Sequence, residues 1–115
     1  MDDMTYRMAE GWLDGGRPLE ALSMLEHRRT ELLETAAGAM LLGRAYFKTA
    51  QLGKAEEVLR RAVELGPTDS YARYLLGRTL QRQSRHVEAL PHLKLAAAQN
   101  PEYAGDRDTC AARIA

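Results

Sequence analysis

Hydrophobic and small residues fall along this chain in a pattern of long period. Leu41-Leu42-Gly43-Arg44 returns unchanged as Leu75-Leu76-Gly77-Arg78, an offset of 34 residues. The same offset joins Ala55 to Ala89, Leu59 to Leu93, Ala62 to Ala96 and Pro67 to Pro101. A fixed period of this length, with small residues at matched places, predicts stacked helical hairpins that bury their apolar faces against one another. With residue 36 as position 1, one repeat covers 36–69 and the next 70–103. Counting 34 residues back pairs Ala9 with Gly43, Trp12 with Tyr46, Ala21 with Ala55 and Leu25 with Leu59, so 2–35 reads as a first repeat without insertion. Residues 104–115 keep the frame, with Cys110 at position 7 and Ile114 at position 11, and read as the first half of a fourth hairpin. Such a short helix covers the last apolar edge only in part. The fold class is all-α, tandem helix-turn-helix hairpins in one domain over 1–115.

Small residues at position 8 let the second helix of a hairpin approach the first, alanines at positions 20 and 27 do the same from the other side, and large residues at 7, 11 and 24 fill the space between. Proline near position 32 ends the second helix, since it lacks an N–H and its ring blocks the ladder. Asp14-Gly15-Gly16-Arg17-Pro18 supplies the turn of the first hairpin, with glycine free to take positive φ and proline suited to a first helical turn. Repeat one decays at its end, where Arg28 replaces the alanine of position 27 and Leu33 the proline of position 32. Two outcomes are open there. The chain either turns near Thr30 to Thr35, with Thr35 capping the next helix, or it runs as one continuous helix into repeat two, which would swing the first hairpin away and invite exchange with a second copy. Pro91 falls past the first turn of a helix starting near Ser84 to His86 and predicts a bend without a break.

Within 36–69, the set Ala39, Leu42, Gly43, Tyr46, Ala55, Leu59, Ala62 and Pro67 resembles the tetratricopeptide repeat pattern W-x2-L-G-x2-Y, A-x3-F, P. Repeat three departs from it in Leu80 for the aromatic residue of position 11 and in Arg73 at position 4, a substitution that leaves a gap or sends the side chain to solvent. The resemblance covers residues 2–103 and implies a short right-handed α-solenoid whose first helices line a concave groove. It assigns positions 2, 5, 9, 12 and 13 to that groove. Those are Asp3, Tyr6, Glu10, Leu13 and Asp14, then Ala37, Met40, Arg44, Phe47 and Lys48, then Tyr71, Tyr74, Arg78, Gln81 and Arg82. Helical spacing independently sets Met40, Arg44 and Phe47–Lys48 on one face, and Tyr71, Tyr74, Arg78 and Arg82 on another.

Acids gather in repeat one of this set and bases in the later two. The bases stand at i, i+4, where like charges repel, beside aromatic residues of the type that carries binding energy. On that count Arg44 and Arg78 do no packing duty. The resemblance also implies a test against the family's carboxylate clamp for chaperone C-termini, and the clamp positions hold Tyr6, Glu10, Leu41, Tyr71 and Leu75 instead of its lysines, arginine and asparagines. The partner expected is therefore a protein or peptide segment with acidic groups and apolar anchors. Self-association, through exchange of repeat one or through Ala112 and Ile114 at the thinly capped end, is the alternative.

Composition narrows this further. Lysine plus arginine number 16 and aspartate plus glutamate 16, so no global field draws the chain to nucleic acid or an anionic membrane. The start lacks the marks of a signal peptide, no apolar run suits a membrane span, and one cysteine excludes an internal disulfide, which together suggest a cytoplasmic protein. His27, His86 and His92 make no metal-binding spacing and read as surface residues, Gly15-Gly16 is not a phosphate loop, and Glu56, Glu57, Glu88 and Asp106 show no partner that would shift them. No enzyme chemistry, cofactor or metal is expected.

Overall fold

The computed structural model describes residues 3–114, with side chains from Met4 onward, so that the side chain of Asp3 and the terminal residues of repeat one and of the tail lie outside the described residues. Helices α1 (Asp3–Asp14), α2 (Pro18–Glu26), α3 (Arg29–Leu32), α4 (Ala36–Lys48), α5 (Leu52–Leu65), α6 (Ser70–Arg82), α7 (His86–Gln99) and α8 (Ala104–Ile114) follow one another, with a 3₁₀ turn at Pro101–Tyr103. Helices α4, α6 and α8 begin at 36, 70 and 104, while α5 and α7 begin at 52 and 86, so the period of the sequence is also the period of the helix starts. Each hairpin pairs within itself, and α5 then packs on α6 and α7 on α8, giving an elongated stack of 44 × 24 × 22 Å.

Local chemistry explains the boundaries. Thr35 accepts a bond from the Gly38 N–H at 3.0 Å, and Asp69 accepts from the N–H groups of Tyr71 and Ala72 at 3.0 and 3.3 Å, which satisfies donors left free in a first helical turn. All three hairpins turn in one way. Gly16, Ala50 and Ser84 take φ of 75°, 59° and 61°, and the N–H after each returns to a first-helix carbonyl, Arg17 to Trp12, Gln51 to Tyr46 and Arg85 to Leu80, at 2.7, 2.9 and 3.0 Å. This is the left-handed C-terminal cap of a Schellman motif. A glycine there is unstrained, whereas alanine or serine costs about 1–2 kcal/mol that the surrounding packing must offset.

Inside each hairpin, the helices meet at position 8. A Cβ on Gly43 would overlap the Leu59 side chain, and one on Gly77 would lie 2.7 Å from Leu93 Cδ2. Leu42, Leu59, Leu76, Leu80 and Leu93 are fully buried around these contacts. At Arg73 a depression of about 580 Å³ opens, lined also by Pro67, Leu76 and His92, and the Arg73 Nε donates to the Pro67 carbonyl at 3.2 Å, tying down the loop between repeats. Helix α7 continues unbroken through Pro91. The tail forms α8, whose Cys110 is buried, donates its thiol to the His86 carbonyl at 3.3 Å, and has its pKa pushed up by burial. In the first hairpin the Arg17 guanidinium lies 4.8 Å from the Trp12 ring centre.

The junction of repeats one and two turns, with Thr35 as the cap, and is not a continuous helix. It also contains a feature absent from the sequence reading, the four-residue helix α3, which inserts Leu32 into the core against α4. Gly38 makes room for it, because a Cβ there would strike the Leu32 carbonyl oxygen and stand 2.9 Å from the Leu32 Cα. Alanine at an ordinary helical glycine gains about 1 kcal/mol of propensity. Here the clash is with backbone that cannot rotate away, and overpacking of that kind costs about 1–3 kcal/mol. Gly38→Ala should therefore lower the stability read from urea unfolding, by up to about 2 kcal/mol net, and a raised midpoint would contradict the close approach.

Candidate functional site

Helix α4 lies between α1 and α6 and touches both, so the first helices of the three hairpins stand side by side. Two depressions open on their common face. One, of about 290 Å³, is bounded by Tyr6 and Glu10 from α1, Ala37, Met40, Leu41 and Arg44 from α4, and Asp69. The other, of about 190 Å³, is bounded by Arg44, Phe47 and Lys48 from α4 and by Tyr71, Tyr74, Leu75 and Arg78 from α6. Arg44 belongs to both. Of the groove residues that the resemblance implies, the two depressions gather Tyr6, Glu10, Met40, Arg44, Phe47, Lys48, Tyr71, Tyr74 and Arg78, while Gln81 and Arg82 stand beyond them. Leu13, placed in the groove by repeat position alone, is a core residue at 5% exposure. Met40, at 9%, backs the groove and offers little contact area.

The charges behave differently from their sequence appearance. Arg44 donates to Asp14 at 3.0 Å. Arg78 pairs with Asp106 at 3.6 Å and donates to Gln81 Oε1 at 2.9 Å. Arg82 stacks 4.8 Å from the Phe47 ring centre and donates to the Phe47 carbonyl at 3.1 Å. The expectation that Arg44 and Arg78 do no packing duty is corrected, since each joins two neighbouring helices, as Arg82 does too. Pairing with acids on adjacent repeats, invisible to an i, i+4 count, offsets the repulsion between the bases. Lys48 and Arg82 are the exposed members of the four basic groups, and Lys48 alone of the four has no partner among the described residues.

Aromatic rings form the other wall. Tyr74 lies parallel to Tyr103 at 4.1 Å between ring centres, and Tyr71 follows at 6.4 Å. Burial raises the Tyr74 pKa, and so does its hydrogen bond to Asp106, so the phenol stays protonated and donates. Tyr103 and Asp106 were not expected here. Asp106 carried one signal, a carboxylate at position 3, where the earlier repeats have Gly38 and Ala72.

Away from the groove, Glu56 of α5 accepts from Arg85 at 2.5 Å, Arg60 at 3.0 Å and Gln83 at 3.3 Å, and Arg85 also holds Glu88 at 2.6 Å. Burial alone would raise the Glu56 carboxyl, but the three donors outweigh it and hold it below the usual carboxylate range. Glu56, Glu88 and Asp106 thus have partners that the sequence did not reveal. His86 and His92 are half-buried and not surface residues. Their Nδ1 atoms lack partners, and burial, with Arg60 and Arg73 nearby, lowers the His92 pKa. Among the described residues no group of three His, Cys, Asp or Glu side chains is arranged to hold a metal, and no helix is long and apolar enough to cross a membrane.

The profile of the tetratricopeptide repeat matches the chain at residues 6–70 and again at 40–104. No curated protein matches. Among solved structures, a crystal structure of MamA superposes with a TM-score of 0.76 at 21% identity, covering 95% of this chain and 71% of that one. A second MamA structure gives 0.77 at 21% identity over 96% and 67%. MamA 41-end from Desulfovibrio magneticus RS-1 gives 0.75 at 28% identity over 85% of this chain, which spans 55% of that protein.

A depressed carboxyl pKa contributes stability above the unfolded value and loses it as pH falls through the folded one. Glu56→Gln should cost about 2 kcal/mol near pH 7, the scale of hydrogen bonds to a charged group. The gap between variant and parent should close in urea titrations as the pH falls below about 4.3, the value of an unperturbed glutamate, and on through the lower folded value. A gap independent of pH would contradict this role for Glu56.

Proposed function

The chain belongs to the tetratricopeptide repeat family, a family of protein-interaction modules, and we propose that its concave face binds a segment of another protein. The observation that carries this reading is the pair of depressions joined at Arg44, with the exposed Lys48 and Tyr71 at the rim of the second. An extended or helical segment with an acidic group and an apolar anchor complements such a surface. The anchor lies against Phe47 and the tyrosines, and the acid lies toward the lysine. Chemistry on the bound segment is no part of this reading, and the domain is a scaffold.

Lys48 and Tyr71 test it best, because neither carries the fold, whereas Arg78 and Arg82 join helices. Lys48→Glu combined with Tyr71→Ala should abolish capture of partner proteins at unchanged helicity, and Lys94→Glu on the exposed side of α7 should leave capture intact. Equal loss in both would move the site off the groove.

A second reading is favoured by the first hairpin. Positions 3 and 7 hold Met4 and Met8, 71% and 46% exposed, while Leu42 and Leu76 at position 7 of the next repeats are 0% and 1% exposed. A face buried elsewhere in the array is therefore open in α1 and fits a second copy of the chain. Light scattering at high micromolar concentration should then show a dimer that Met8→Glu dissociates, and a monomer in the parent protein would exclude it.

A further inference from the structure

Resting on the groove reading, we propose that Arg44 and Lys48 form its acid-binding position and that Asp14 occupies this position in the free protein as a stand-in for a glutamate or aspartate of the bound segment. Arg44 is the residue common to both depressions, so an acid held there sits at the middle of the groove. Lys48 follows one turn later on the same helix face, exposed and without a partner among the described residues. A carboxylate bridging the two meets one paired and one free cation.

The present occupant is weakly held. Asp14 is 72% exposed on its side chain and engages only Nη2 of Arg44, while Nε of the same guanidinium is buried without an acceptor. A carboxylate that meets both Nη2 of Arg44 and the exposed Lys48 ammonium makes two charge-assisted bonds where Asp14 makes one. Asp14 is also the last residue of α1, a helix with no basic residue in its last turn. The negative end of the helix dipole opposes a carboxylate at that place. The equivalent residues of the next two repeats are Lys48 and Arg82, cations that suit a helix C-terminus. Asp14 is therefore the exception in a frame that otherwise puts a base at position 13, and Arg44 is the group that accommodates it.

The matching arginine does not share this property. Arg78 pairs with an Asp106 that is 32% exposed and also accepts from Tyr74, so that pair fastens α8 to α6 and is not free to exchange. Of the two arginines repeated at position 9, one is structural and one is available. The bound segment's acid is thus directed to the α1 side of Tyr71 and Tyr74, with its apolar residue on the α6 side.

The test uses two fluorescent peptides, one alternating glutamate with phenylalanine and leucine, the other with glutamine in place of each glutamate. Their anisotropy is titrated with the full chain and with Asp14→Asn and Lys48→Ala. Release of an exposed ion pair corresponds to at most about fivefold in affinity, so Asp14→Asn should bind the glutamate peptide about three- to fivefold more tightly. It should leave the glutamine peptide unchanged, and Lys48→Ala should weaken only the glutamate peptide. Circular dichroism of Asp14→Asn should match the parent, since the lost ion pair is offset by relief at the helix terminus. Binding of the glutamate peptide by the parent with no gain in Asp14→Asn, or an equal gain for both peptides, overturns the stand-in role and leaves the groove reading standing. Failure of parent and variants to bind either peptide overturns the groove reading and this inference together.

Discussion

The close approach of paired helices at position 8 is the constraint from which the other features follow. Gly43 and Gly77 let the Leu59 and Leu93 side chains press against a bare backbone, which sets the distance between the two helices of a hairpin. Once that distance is set, the leucine at position 7 is forced into the core and the arginine at position 9 is forced to the opposite face. The groove is thus the reverse side of the packing seam. Its depth follows from how the hairpins stack, and its chemistry is left to residues that the seam does not need.

Much of this was legible in the chain because the seam demands residue types rather than exact shapes. Small residues at positions 8, 20 and 27 located the hairpins, and the helices begin at the intervals they imply. Other features depend on three-dimensional neighbours and left no such mark. Ala50 and Ser84 adopt the left-handed conformation that sequence alone assigns to Gly16, since the stacked hairpin imposes the turn on whatever residue stands there. Helix α3 is too short to show periodicity, and its one clear trace was Gly38, a glycine whose reason lies in Leu32 of another element. Repeat position and helical spacing located most residues that line the two depressions but also drew in Leu13, Gln81 and Arg82, which lie outside them, and the pairing of Arg44 with Asp14 and of Arg78 with Asp106 depends on distances between repeats.

The three hairpins are alike in frame and unlike in duty. Repeats two and three share the glycine seam, and Glu56 and Arg85 bind them across their outer side. Repeat one has alanine in place of the seam glycine, a nine-residue second helix where the others have fourteen, and an acid where the others have bases. It meets repeat two where α1, α2 and α3 all pack on α4, with the Asp14–Arg44 pair at the groove side. The array therefore has a firmer C-terminal part and a first hairpin whose own two helices pack less extensively on each other than those of the later hairpins, the arrangement expected of the part that yields first in local opening.

Trp12, the one tryptophan of the chain, lies in that first hairpin under the Arg17 guanidinium. Its emission reports on this hairpin alone, whereas far-ultraviolet dichroism reports on every helix. The protein thus carries a native optical label at the end where its internal cooperativity is weakest, and comparison of the two signals separates loosening of that end from collapse of the whole stack.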